Sequence, residues 1–300
     1  MCIYMTSEKN GLIYSSIILL KSRREIIFGS SWIAALASII AGKGFPPIYG
    51  SILSIIAVMM IVTSVYIYND IIDSDMDAYS KQEKKKKRPI AHGLVSENNA
   101  MIFVAVTGLL GLGICLILNP IVFVVGLTYY ILVFLYSHPA VRFKEMFIIK
   151  NLVASLLLPT SSLISGVAIE KRISTNMAFL SIIYYLLCAF TLPAVGDMLD
   201  YEEDLAFNIK TIGNSISWKS NLILYNIGVI ILFLGSLFSY LYFEISLFVP
   251  IVSSILCVYL MVYSFNLRNE DGKTASYKLR PLSYVLMLLN PLLLAFGSFF

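Results

Sequence analysis

Apolar residues run along this chain in long blocks broken by short polar loops. Nine such blocks stand out: 26–41, 48–68, 100–118, 121–136, 152–169, 177–196, 222–243, 247–265 and 282–300. Most approach the ~20 residues that a helix needs to cross the hydrocarbon core of a bilayer. The pattern predicts an all-α membrane protein: nine transmembrane helices in one bundle, spanning residues 1–300 as a single polytopic domain. Composition agrees, with 58% apolar residues, 13% charged residues and a mean hydropathy of +0.83, against roughly a quarter charged in soluble domains.

The charges that remain are sorted by side. If the N-terminus and every second loop share one face, that face collects every Lys and Arg except Lys43, Lys171 and Arg172. By the positive-inside rule, that face is cytoplasmic and the C-terminus lies outside. The acids follow the same division, with only Glu170 and Glu244 on the other face. The rule makes no demand on acids, so their placement needs its own reason. Residues 1–25 show no small-residue cleavage site after the apolar stretch 11–20 and read as an amphipathic segment lying on the membrane. Cys2, Cys115, Cys188 and Cys257 have no metal-ligand spacing and read as packing residues. His92 and His138 lack a Cys or His partner and are assigned loop or structural roles.

The acids themselves are patterned. Asp70, Asp73 and Asp77 follow one apolar block, and Asp197, Asp200 and Asp204 follow another, both as Asp-x2-Asp-x3-Asp. That spacing puts three carboxylates on one face of a helix. The two copies sit in the longest cytoplasmic loops, 70–98 and 197–220, and suggest two halves of similar design, spans 1–4 and 5–8, plus a ninth. In that arrangement spans 2 and 6 face a common apolar cavity beneath cytoplasmic cap loops. Pro193, four residues before Asp197, either opens the sixth helix or is a tolerated membrane proline. A site rich in carboxylates and free of thiols suits Mg2+, which takes one or two carboxylates, waters and substrate phosphate oxygens. Basic residues follow the acids closely: Lys81, the run Lys84 to Lys87 and Arg88, then Lys210, with Arg142 and Lys144 after the fourth span and Arg23 and Arg24 before the first. Acids followed by bases point to a metal-bridged phosphate site. The lysine run also reads as a juxtamembrane patch for anionic lipid.

Three stretches carry a resemblance. Asn69-Asp70-x-x-Asp73-x-x-x-Asp77 with Arg88-Pro89-Ile90-x-x-Gly93 looks like the first signature of the UbiA superfamily of intramembrane prenyltransferases. Asp197-x-x-Asp200-Tyr201-x-x-Asp204 with Ile209-Lys210-Thr211-Ile212-Gly213 is similar to the second. Tyr136-Ser137-x-Pro139-x-x-Arg142-Phe143-Lys144 resembles the Tyr-Ser-x-Pro-Pro-x-Arg-Leu-Lys stretch of many members, with Ala140 in place of the second Pro. The ten residues between Asp77 and Arg88 are lysine-rich. They lack the Asn-Arg-Pro-x-Arg-Pro run of geranylgeranylglyceryl-phosphate geranylgeranyltransferases.

The resemblance implies an isoprenyl diphosphate bound through two Mg2+ ions, one held by Asn69, Asp70, Asp73 and Asp77 and the other by Asp197, Asp200 and Asp204. It assigns catalysis to Asp73, Asp77, Asp200, Asp204 and Lys144. Diphosphate binding falls to Arg23, Arg24, Lys81, Arg88, Tyr136, Arg142, Lys144 and Lys210. The expected partners are a prenyl diphosphate, a lipid or aromatic acceptor and membrane lipid of the cell membrane, with no nucleic acid. Cyclisation of the prenyl chain without an acceptor requires the same acids, so the residues do not separate it from transfer. A cation transporter stands as a different class, but its sites sit on broken helices near the midplane, away from lysines. The Asp-Gly-x-x-Ala-Arg signature of CDP-alcohol phosphotransferases is absent.

Overall fold

A computed structural model describes residues 11–80, 87–243 and 245–299; Lys81, the run 84–86 and the first ten residues of the amphipathic segment lie outside them. The described chain is helical. In order it forms α1 (Leu12–Ser22), α2 (Arg24–Ala41), α3 (Ile48–Ile72), α4 (Ser74–Tyr79), α5 (Glu97–Leu118), α6 (Pro120–Ser137) and α7 (Ile149–Ala154). It continues with α8 (Leu157–Glu170), α9 (Thr175–Leu192), α10 (Tyr201–Ala206), α11 (Ile212–Ser215), α12 (Trp218–Phe243), α13 (Phe248–Asn266) and α14 (Gly272–Gly297). Among the described residues nine helical segments are long and apolar enough to cross a membrane, α7 with α8 counting as one. The chain is a multi-pass membrane protein.

Apolar side chains cover much of the outer surface. Leu109, Ile117, Ile223 and Ile255 are all exposed on spanning helices, as lipid contact requires and a soluble surface would not tolerate at this density. Inside, the two larger apolar clusters divide the bundle, and a smaller third joins α1, α3 and α5 through Leu19, Ile67 and Val104. Of the larger two, one joins α2, α3, α5, α6 and α8 through Ala34, Ile61, Cys115, Val122 and Ile164. The other joins α9, α12, α13 and α14 through Leu187, Tyr225, Leu260, Leu279 and Leu294. The packing boundary therefore falls after the fifth span, one later than the motif spacing suggests, because α8 buries Ile164 and Val167 against the first group.

Between apolar helices there is no hydrophobic drive in lipid, so small residues and polar contacts hold the seams. Ser165 donates to Ser54 at 3.0 Å across α8 and α3, and Ser162 pairs with Ser181 at 2.9 Å across α8 and α9. Asn290 of α14 accepts from the Tyr184 hydroxyl at 3.0 Å and donates to Ser253 at 2.9 Å, tying three helices at one buried point. The helix α1 lays Ser15 and Leu19 against α5, with Asn99 donating to Ser15 at 3.2 Å. Its opposite side exposes Ile13, Tyr14 and Ile17.

Candidate active site

The first acidic motif straddles a bend. α3 stops at Ile72 and α4 restarts at Ser74, yet Asp73 N–H donates to Asn69 O at 2.9 Å and Asp77 N–H to Asp73 O at 2.8 Å. Helical register therefore survives the bend, and Asp70 and Asp77 are buried while Asp75, off the face, is exposed. The second motif begins on a widened turn. α9 ends at Leu192, and Pro193–Asp197 forms a π-helical turn, the opening that a proline without an N–H favours. The carbonyls left over are taken by side chains of other helices: Asn221 donates to Pro193 O at 3.2 Å and Ser276 to Ala194 O at 2.8 Å. Asp204 N–H then donates to Asp200 O at 2.8 Å, restoring register to the last acid.

The motif glycines are fixed by geometry. Gly93 sits at φ +69° in a tight turn where Leu94 N–H reaches back to Pro89 O at 2.8 Å, and that turn aims Arg88. Gly213 faces Asp197 so closely that a Cβ there would lie 2.7 Å from Asp197 Cβ. Only glycine lets α11 pack on the acid.

Each buried carboxylate needs a partner, since an unpaired charge here costs several kcal/mol. Asp70 takes two: Arg23 Nε donates to Oδ2 at 2.9 Å while its terminal nitrogen pairs with Oδ1, and Arg88 donates to Oδ1 at 2.8 Å. Arg88 Nε also stands 4.0 Å from Asp77. Asp73 pairs with Lys144 and accepts from Asn69 at 2.7 Å. Asp197 and Asp204 share Lys150, at 3.1 and 3.4 Å, and Asn151 donates to Asp197 at 3.2 Å. Lys150 and Asn151 are absent from the sequence-based assignment. No local pattern marks them: they lie six and seven residues past Lys144, at the start of the fifth span.

The loop that delivers these lysines is strained. Arg142 at φ +46° and the β-branched Ile148 at φ +68° bracket the 3-10 turn Phe143–Glu145, and such outliers persist where the surrounding structure enforces them. Burial pushes the Lys144 ammonium down to about 8. Burial also raises the Asp204 carboxyl to about 6, although Lys150 pulls it the other way.

The two motifs meet. Ser80, just past the first, donates to Glu203 within the second, and Tyr79 meets Phe207 edge-on at 5.6 Å. Arg88, bonded to Asp70, lines a cavity of about 210 Å³ together with Asp200, Leu199, Arg280, Tyr284 and Met287. Tyr136 is half-buried and within electrostatic reach of Asp197, Asp200 and Asp204. Other expected residues lie aside. Arg24 is exposed, Arg142 pairs with Glu145 at 2.9 Å, and exposed Lys210 sits 5.4 Å over the Phe147 ring.

Among the described residues no three acids converge into a closed cage. The donor set still fits Mg2+, because that ion needs only one or two carboxylates when waters and phosphate oxygens complete its shell.

Comparison with known proteins agrees with this arrangement. A 4-hydroxybenzoate octaprenyltransferase of Shewanella denitrificans is 35% identical over 91 residues, 30% of each chain. The counterpart of Shewanella loihica is 33% identical over 115 residues, 38% of this chain and 39% of the relative. The chain thus matches less than two fifths of the length of these curated relatives. In shape, a structure concerned with digeranylgeranylglyceryl phosphate synthase superposes with a TM-score of 0.77 at 19% identity, covering 96% of this chain and 99% of the other. A UbiA homologue from Archaeoglobus fulgidus, bound to GPP and Mg2+, gives 0.65 at 18% identity, covering 94% and 99%. The family model described as the UbiA prenyltransferase family matches residues 30–292, from α2 through both acidic motifs to α14. With nine spans among the described residues and two acidic motifs in that order, the chain belongs to the UbiA prenyltransferase family.

Proposed function

We propose that this chain is a Mg2+-dependent intramembrane prenyltransferase, moving an isoprenyl group from an allylic prenyl diphosphate to a lipid or aromatic acceptor. The observation that carries this reading is the pairing of buried and half-buried acids of both motifs with four bases, Arg23, Arg88, Lys144 and Lys150, on adjoining segments at one end of the bundle. Asn69, Asp70, Asp73 and Asp77 on one side, and Asp197, Asp200 and Asp204 on the other, would hold two Mg2+ ions. Such ions, when bound, neutralise charge on the diphosphate.

The chain's own residues account for the rest. Arg23, Arg88, Lys144 and Lys150 shift from carboxylate to diphosphate oxygens and stabilise the charge that builds as the allylic C1–O bond breaks. Leu192, Leu199 and Met287 exclude water from the resulting allylic cation. The acceptor attacks that carbon, forms the new bond and loses a proton, and diphosphate departs. Placement of this face in the cytoplasm, and of the protein in the cell membrane, is part of the same proposal and is supported by the basic-residue asymmetry.

Transfer is separated from cyclisation by incubating purified protein with geranylgeranyl diphosphate and Mg2+, with and without candidate acceptors. Diphosphate release that waits for an acceptor supports transfer. A cyclic hydrocarbon formed without one refutes it.

A further inference from the structure

Arg280 lies eight residues into α14, about 12 Å along the helix at 1.5 Å per residue, and faces the cavity that Arg88 and Asp200 also line. The other cations near this end of α14 are neutralised: Lys273 pairs with Glu202 at 2.9 Å and Lys278 with Glu270 at 2.7 Å. Arg280 has no ion pair among the described residues; its Nε donates to the Tyr284 hydroxyl at 3.3 Å, with the guanidinium 5.5 Å from that ring. Its two terminal nitrogens are left to bind something else, and the tyrosine holds the fork in place. A guanidinium that lines a cavity with no acid to answer it is available to an anionic ligand.

The cavity borders the acid site and shares Arg88 and Asp200 with it. Of the seven candidate metal ligands only Asp200 lines it, and neither Lys144 nor Lys150 does. The diphosphate has its own bases at the triads. The walls beyond Arg280 are apolar or aromatic, including Leu192, Tyr284 and Met287. We infer that this chamber receives the acceptor and that Arg280 selects acceptors bearing an anionic group, a carboxylate or a phosphate, on an apolar or aromatic body. A planar guanidinium matches either anion through two parallel hydrogen bonds.

This inference rests on the prenyl-transfer reading and is tested separately from it. Binding to the detergent-purified full chain is measured for two pairs of probes: 4-hydroxybenzoate against 4-hydroxybenzamide, and geranylgeranylglyceryl phosphate against geranylgeranylglycerol. Geranyl diphosphate with Mg2+ serves as the donor control. The expected result is that one anionic probe binds the wild-type chain more tightly than its neutral counterpart. Arg280→Gln then weakens that probe by about tenfold or more, Arg280→Lys recovers part of the loss, and donor affinity stays within about twofold. If the wild-type chain does not distinguish either anion from its neutral counterpart, the inference is overturned. Equal loss of donor binding in a variant with an unchanged thermal midpoint assigns Arg280 to the diphosphate and also overturns it. Arg280→Lys keeps the charge and carries the test should the glutamine variant lose that midpoint. A wild-type chain that takes the acceptor anion but no geranyl diphosphate counts against prenyl transfer and not against Arg280.

Discussion

Lys150 shows most clearly how a single side chain organises this site. It bridges Asp197 and Asp204 at 3.1 and 3.4 Å, so deleting its charge leaves two buried carboxylates facing each other. Lys150→Met should lower kcat/KM about 10- to 100-fold, the cost of a lost charge-assisted contact of ~1.5–3 kcal/mol, measured by release of radiolabelled prenyl product. Exposed Lys210, set over Phe147, provides the contrast: Lys210→Met should change kcat/KM less than about threefold, and a larger loss would place it on the substrate. Asp204 gives a pH test. Its carboxyl sits at about 6 because burial disfavours the charge, and a metal ligand must be deprotonated. The Mg2+ concentration for half-maximal activity should therefore rise as pH falls through about 6 and level off above it; a flat profile from pH 5 to 7 would remove Asp204 from the metal site. The acids were legible because i, i+3, i+7 spacing repeats in the sequence. Lys150 and Asn151 were not, because their link to Asp197 spans 46 or more residues and depends on a strained loop that no local pattern announces.

At the scale of elements, two local deformations position the acids. The π-helical turn after Pro193 and the bend at Asp73 each sit where a membrane helix gives way to its motif. Pro193 itself is visible in the sequence, but whether it opens the helix depended on Asn221 and Ser276 being at hand to take the freed carbonyls. The close approach of Gly213 to Asp197 is the sharper lever, since an added Cβ would fall 2.7 Å from the aspartate. Gly213→Ala should cost about 1–3 kcal/mol of stability through overpacking and reduce activity beyond the loss of folded protein, read by thermal midpoint and specific activity together. An alanine variant with wild-type values of both would show that α11 can move away at no cost.

For the molecule as a whole, the number of spans and their apolar blocks were legible from hydropathy alone, and all nine appear where those blocks lie. The grouping of spans was not, because it follows from which faces of α8 bury Ile164 and Val167, a tertiary fact. Orientation is open to labelling. Cys115, Cys188 and Cys257 are buried, so with Cys2 replaced by Ser an impermeant thiol reagent reads only an introduced cysteine. Ser215→Cys should label from the cytoplasmic side and Thr175→Cys from the other. The central claim is that both acid triads serve one metal-dependent diphosphate site. Its most direct test is prenyl transfer from radiolabelled geranylgeranyl diphosphate by the purified wild-type chain, Asp73→Ala and Asp200→Ala, across a screen of acceptors with and without Mg2+. Product formed by the wild-type chain only with Mg2+, and reduced by at least about 100-fold in each variant, is the predicted result; full Mg2+-dependent activity in either variant contradicts it.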